Sequence, residues 1–168
     1  MENNTGRLLE KITGFLVQIG IGFSMCTIKD ETFMPGVGLE NGIILIDTEK
    51  LLYPGDILHE AGHLAVLSAD ERVTSTGKLS GEFSQLGNEI MAQAWSYAAC
   101  VAIGLDPLIV FHEHGYRGAG KALIETFSSG NPVGVPALQW LGMTYDKANA
   151  GKLNTLAYPN MICWVRQA

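Results

Sequence analysis

The sequence predicts an α+β fold in which a small sheet packs on several helices. Three observations carry this. Short apolar runs bounded by turn signals, at residues 23–28 and Ile43–Ile46, lie early in the chain. Leu8, Ile12, Phe15, Leu16 and Ile19 recur at helical spacing before them. Residues 86–104 are apolar around most of a helical circumference, which marks a helix buried against other elements.

Taken in order, residues 5–20 read as an amphipathic helix and 23–28 as a strand. Met34-Pro35-Gly36-Val37-Gly38 reads as a turn leading into a short extended piece. Asn41-Gly42 is a strong two-residue turn signal, and Ile43–Ile46 follows as a buried strand ended by Asp47. Tyr53-Pro54-Gly55-Asp56 opens a helix running to about Ser68, with Pro tolerated in the first turn and Asp56 at the positive end of the dipole. Residues 69–84 are polar and rich in Ser and Gly. The second long helix, 86–104, stops at Gly104 and Asp106-Pro107. A third is expected over 117–128, and from Pro132 onward the chain is helical in places.

Composition narrows the function classes. A length of 168 residues with 47% hydrophobic content suits one domain, 1–168, with a sizeable core. A net charge of -6 without a Lys/Arg cluster argues against nucleic-acid binding, which depends on phosphate neutralisation. No run is long and apolar enough for a membrane span, and Glu2 ahead of any apolar segment predicts no secretory signal. Cys26, Cys100 and Cys163 are sparse and form no CxxC pair, so reduced, small apolar core residues in a cytoplasmic protein are expected.

The chemistry sits in His59-Glu60-Ala61-Gly62-His63. On a helix, His59 and His63 lie roughly 40° apart and one turn up, so both imidazoles can bind one metal ion. Glu60 lies roughly 60° from His63, within reach of a metal-bound water without ligating the ion. This is the arrangement of a hydrolytic zinc site, with His59 and His63 as ligands and Glu60 as general base. The chain has four histidines, and shuffling it would give the pattern fewer than about 0.01 times. Two surface histidines on an amphipathic helix are the alternative.

The third ligand is sought on the buried second helix. Glu89, Gln93 and Ser96 share one stripe there, at i, i+4 and i+7. A carboxylate on a buried helix is costly unless it is paired or binds a metal, and zinc would resolve that cost at Glu89. Gln93 could then hydrogen-bond a ligand histidine. The alternative for Glu89 is a solvent-facing carboxylate near the helix start, favoured by the dipole.

His59-Glu60-x-x-His63 followed by Asn88-Glu89-x-x-x-Gln93 resembles the zincin metallopeptidases of the gluzincin type, as a minimal version of the thermolysin core. The likeness covers residues 54–96, about a quarter of the chain. It implies zinc held by His59, His63 and Glu89, with Glu60 as base and a peptide or protein as substrate. It also implies an edge strand, for which residues 36–40 are the candidate, to which peptide adds as a further strand. The family has an acidic residue where this chain has Gln93, and that residue orients a ligand histidine. It further uses a distal His or Tyr to stabilise the oxyanion, and His112, His114 and Tyr116 are the candidates; surface-loop roles are the alternative for each. His-Glu-Ala-Gly-His also resembles membrane-tethered AAA proteases, whose third ligand is a distant Asp, here Asp146. The absence of a P-loop weighs against that.

Two further functions remain open from sequence. One is a catalytically silent zinc-binding or sensor module on the same fold, with His112 or His114 as a fourth ligand. The other is a hydrolase of a different amide or ester. The apolar tail Met161-Ile162-Cys163-Trp164-Val165 is expected to dock on its own core or on a partner.

Overall fold

The computed structural model describes residues 2–77, 82–129 and 133–167. These form a mixed α+β structure with seven α-helices and a three-stranded sheet. Helix α1 (Glu2–Ile19) leads into strands β1 (Phe23–Met25), β2 (Val37–Glu40) and β3 (Ile43–Ile46). The sheet order is β1-β3-β2, with β1 parallel and β2 antiparallel to the central strand β3. Asn41 and Gly42 both have positive φ, 49° and 74°, which is the backbone of a tight hairpin turn. Gly42 is needed there twice over, because a Cβ would lie 2.4 Å from the Arg72 carbonyl oxygen. Along β3, Ile44 and Ile46 are fully buried while Ile43 is exposed, so one pleat face meets the core and the other does not. The first strand is shorter than the expected 23–28, although Cys26 N–H still donates to Ile46 O at 3.0 Å.

Helix α2 (Asp56–Val66) starts after Gly55, where the chain passes so close to Ile109 that a Cβ would lie 2.0 Å from its carbonyl oxygen. The helix ends two residues before Ser68, because Ser68 is already the cap of α3 (Ala69–Thr74). The Ser68 hydroxyl accepts from Glu71 N–H, and the Glu71 carboxylate accepts from Ser68 N–H at 2.9 Å. This capping box is visible in the sequence, so the stretch 69–84 is not uniformly loop. Residues 78–81 of that stretch, and Pro132, lie outside the described residues.

Helix α4 (Glu82–Ala102) begins earlier than the expected 86 and supplies the main partner of α2. The two helices touch through backbone. A Cβ on Gly62 would lie 2.8 Å from Ala92 O, and the buried Ser96 hydroxyl donates to Ala92 O at 2.6 Å. Ala94, Trp95, Ala98, Ala99 and Cys100 continue the contact into the core, with Leu58, Ala61 and Leu64 on the α2 side. The helix is not buried all round as its composition suggests: Val101 and Ala102 near its end are exposed.

Short 3-10 turns at Pro107–Ile109 and Tyr116–Gly118 precede α5 (Gly120–Ser128), so the third helix starts three residues later than expected. Helices α6 (Val135–Trp140) and α7 (Lys147–Leu153) complete the chain's regular structure. The apolar tail docks on its own core: the Trp164 ring meets Phe15 and Trp95 edge-on at 4.9 and 5.6 Å, and Trp95 Nε1 donates to Trp164 O at 2.8 Å. Among the thiols, Cys100 is buried, which pushes its pKa up to about 12. Cys26 is exposed instead of in the core, because β1 lies at the edge of the sheet. Among the described residues no helix is long and apolar enough to cross a membrane.

Two glycines give opposite expectations. Gly62→Ala forces its methyl onto the Ala92 backbone and should destabilise the fold by about 1–3 kcal/mol. Gly151→Ala, in α7 with open space around it, should stabilise by up to about 1 kcal/mol. Urea unfolding of the two variants beside the parent measures both signs.

Candidate metal centre

The stripe of α2 that faces α4 carries His59 and His63 one turn apart, with their rings at 86° to each other. Glu89, on α4, lies one turn before the Gly62–Ala92 contact and reaches back to both. Its Oε2 is 3.4 Å from His59 Nε2 and 3.2 Å from His63 Nε2, and the two Nε2 atoms are 3.0 Å apart. These three atoms form a near-equilateral triangle. Donors about 2.0–2.1 Å from one tetrahedral zinc ion would be separated by about 3.3 Å. The cluster therefore has the size of one face of such a coordination shell, and His59, His63 and Glu89 lie within metal-binding distance of one another.

The outward nitrogens are also held. The Asn88 side-chain oxygen accepts from His63 Nδ1, and the Tyr116 hydroxyl lies 3.0 Å from His59 Nδ1. Each Nδ1 is directed to an outer partner, and each Nε2 faces the centre. Gln93 takes a different place from the one expected. It does not touch a histidine: its Nε2 donates to Glu89 Oε1 at 2.8 Å, because residues four apart on one helix are neighbours. Gln93 thus orients the carboxylate. The role expected of it belongs to Asn88, whose position next to Glu89 was visible but whose direction depends on how α4 meets α2.

Charge in the cluster is set by competing effects. Burial works against ionisation of Glu89, but the contacts from His59 and His63, with Gln93 adding to them, hold its pKa below the usual carboxylate range. Burial likewise opposes charge on His63. Hydrogen bonding to Glu89 and Asn88 and the nearby charge of Glu60 outweigh it, and the pKa of His63 is raised. Burial pushes the Tyr116 phenol up, with Glu89 and Asp56 adding to the effect, so the hydroxyl stays neutral. Glu60 is half-buried on α2 and has no hydrogen-bond partner among the described residues.

The three oxyanion candidates are placed apart from one another. Tyr116 stands behind His59, on the Nδ1 side of its ring, away from the triangle. His112 bonds Asp56, Nε2 to Oδ1 at 3.2 Å, and stacks on Tyr53 at 3.8 Å. Its Nδ1 is buried with no partner among the described residues. Burial raises the pKa of Asp56, and His112 opposes that shift. His114 is 65% exposed and pairs with Glu113 at 3.5 Å, outside the cluster. Asp146, the distant-Asp candidate, caps α7, where its carboxylate accepts from Asn149 N–H at 2.7 Å and from Gln139. Its oxygens are committed to that cap.

The strand expected to receive peptide is also partly used. Val37 N–H donates to Met34 O at 3.0 Å, and Leu39 O accepts from Gly77 N–H at 2.9 Å. Asn41 N–H donates to the Thr76 hydroxyl at 2.9 Å. Residues 75–77 therefore line the outer side of β2, the side on which an added strand would pair. No protein-family model, curated protein or solved structure matches the chain.

Purified protein should carry about one divalent ion per chain, and His63→Ala and Glu89→Ala should each lose it. Elemental analysis after gel filtration reads this directly. Removing the ion with a chelator should lower Tm in the parent and leave both variants unmoved, since only a folded state with the intact triangle gains from binding.

Proposed function

We propose that this protein is a zinc-dependent hydrolase acting on peptide bonds. The observation that carries the reading is the triangle of His59 Nε2, His63 Nε2 and Glu89 Oε2, with sides of 3.0, 3.2 and 3.4 Å, beside a half-buried Glu60 on the same helix. Two neutral imidazoles and one carboxylate suit zinc best among the divalent ions. When bound there, zinc lowers the pKa of a coordinated water toward ~7 and polarises the scissile carbonyl.

The chain's own residues supply the rest. Asn88 and Tyr116 keep both histidines turned inward, and Gln93 keeps Glu89 turned toward them. Glu60 accepts the proton of the attacking water and delivers it to the leaving nitrogen. A structural site would have no use for a free carboxylate at that position, which favours catalysis over storage.

One set of observations favours a second reading, a catalytically silent zinc-binding module. Tyr116, His112 and His114 are each committed away from the triangle, and part of the β2 edge is filled by residues 75–77. A single pair of measurements separates the readings. Zinc-loaded protein is incubated with a peptide library, with Glu60→Gln as control. The hydrolase reading expects turnover that falls by about 10²–10⁴-fold in Glu60→Gln at unchanged zinc content. Full zinc occupancy with no cleavage in the parent selects the binding module.

A further inference from the structure

We infer that Tyr116 is a positioning residue of the metal centre, whose hydroxyl fixes His59 in the tautomer that offers Nε2 to the ion. This rests on the metal-site reading above and adds to it the group that aims one ligand. His59 is only 4% exposed, so water has little access to its Nδ1. Among the described residues, the Tyr116 hydroxyl at 3.0 Å is the partner of that nitrogen. A hydroxyl at that place can accept from Nδ1–H, and an imidazole with its proton there leaves bare the Nε2 that faces His63 Nε2 at 3.0 Å and Glu89 Oε2 at 3.4 Å.

The backbone supports a specific purpose for this contact. Tyr116 and Arg117 are consecutive non-glycine residues with φ of 52° and 54°, a conformation that side-chain-bearing residues rarely adopt. Such strain persists only where surroundings over-determine it, and it clusters at functional sites. Here the loop is tied to α2 at two points one turn apart, by His112 on Asp56 and by Tyr116 on His59. Its far end is fixed where Gly120 packs against the Phe111 carbonyl, at a spacing that leaves a Cβ only 2.1 Å from the oxygen. The Tyr116 ring also rests on Phe111, at 5.2 Å. The strained residues are the ones that carry the phenol to the histidine.

The chemistry of the partner sets the character of the centre. Many metal-bound histidines donate to a carboxylate, which raises their basicity. Both histidines here have neutral outer partners, an amide at His63 and a phenol at His59. Glu89 would then be the one anionic ligand, and an ion held there would keep more of its positive charge for polarising a substrate.

The test uses Tyr116→Phe, which removes one oxygen and keeps the ring packed on Phe111. Zinc affinity is measured by competition with a chromophoric chelator. The His59 tautomer is read from imidazole ¹⁵N shifts of the metal-free protein, parent and variant. The proposal expects Nδ1–H on His59 in the parent, loss of that single tautomer in Tyr116→Phe, and affinity lower by about 10–100-fold. Unchanged affinity and tautomer in a folded variant overturn it. So does a parent in which His59 carries its proton on Nε2, a result that needs no variant to fold. If the parent shows the Nδ1–H tautomer but binds no zinc, the metal-site reading fails and the claim that Tyr116 serves an ion fails with it. If the parent binds zinc but Tyr116→Phe matches it, only the positioning claim fails.

Discussion

The backbone contact between α2 and α4 at Gly62 and Ala92 is the constraint on which the rest of the centre depends. Helix axes can approach this closely only where one side chain is absent, and Gly62 supplies that absence within the histidine motif itself. Ser96 reinforces the crossing by hydrogen-bonding Ala92 O and reaching Leu58 O at 3.3 Å. Once the helices are set at this spacing, a residue one turn before Ala92 faces His59, one turn before Gly62, and His63, the residue after it. Glu89 occupies that place. A longer residue at position 62 would move α4 outward and open the triangle, even with all three ligands present.

Around this crossing the polar groups follow a consistent pattern. Inward atoms converge on a point, and outward atoms are each held by a separate neighbour: Asn88 and Gln93 from α4, Tyr116 from the loop ahead of α5. Such a cluster would be unfavourable if left partly satisfied, because buried polar groups without partners cost more than the same groups in water. Glu89 retains its charge because the histidines stabilise it more than burial opposes it. The loop 107–120 closes the side of the site at the start of α2, and glycines at 55 and 120 allow its backbone to lie directly against neighbouring backbone.

The elements with strong local signals were legible before any fold was seen. The hairpin at Asn41-Gly42 and the strand Ile43–Ile46 follow from turn chemistry and an apolar run. Helix α2 follows from its start signal at Pro54-Gly55-Asp56 and α4 from an apolar run around most of a helical circumference, to within a few residues at each end. α3 was missed although its capping box, Ser68 with Glu71, stood in the sequence; a polar composition outweighed the cap. The site was partly legible in the same way. His59 and His63 are related by helical geometry alone, and Glu89 was reached because a carboxylate on an apolar helix needs a reason.

What the sequence by itself determined is therefore local: which segments coil or extend, and which residues share a helix stripe, since both depend on periods of a few residues. What only the tertiary structure decided is direction across elements. Gln93 turns to Glu89 on its own helix, Asn88 turns to His63, Tyr116 reaches His59 from 57 positions away, and Asp146 is absorbed in a helix cap. No spacing rule encodes those pairings, because they depend on how close two helices approach and on where a strained loop places one phenol.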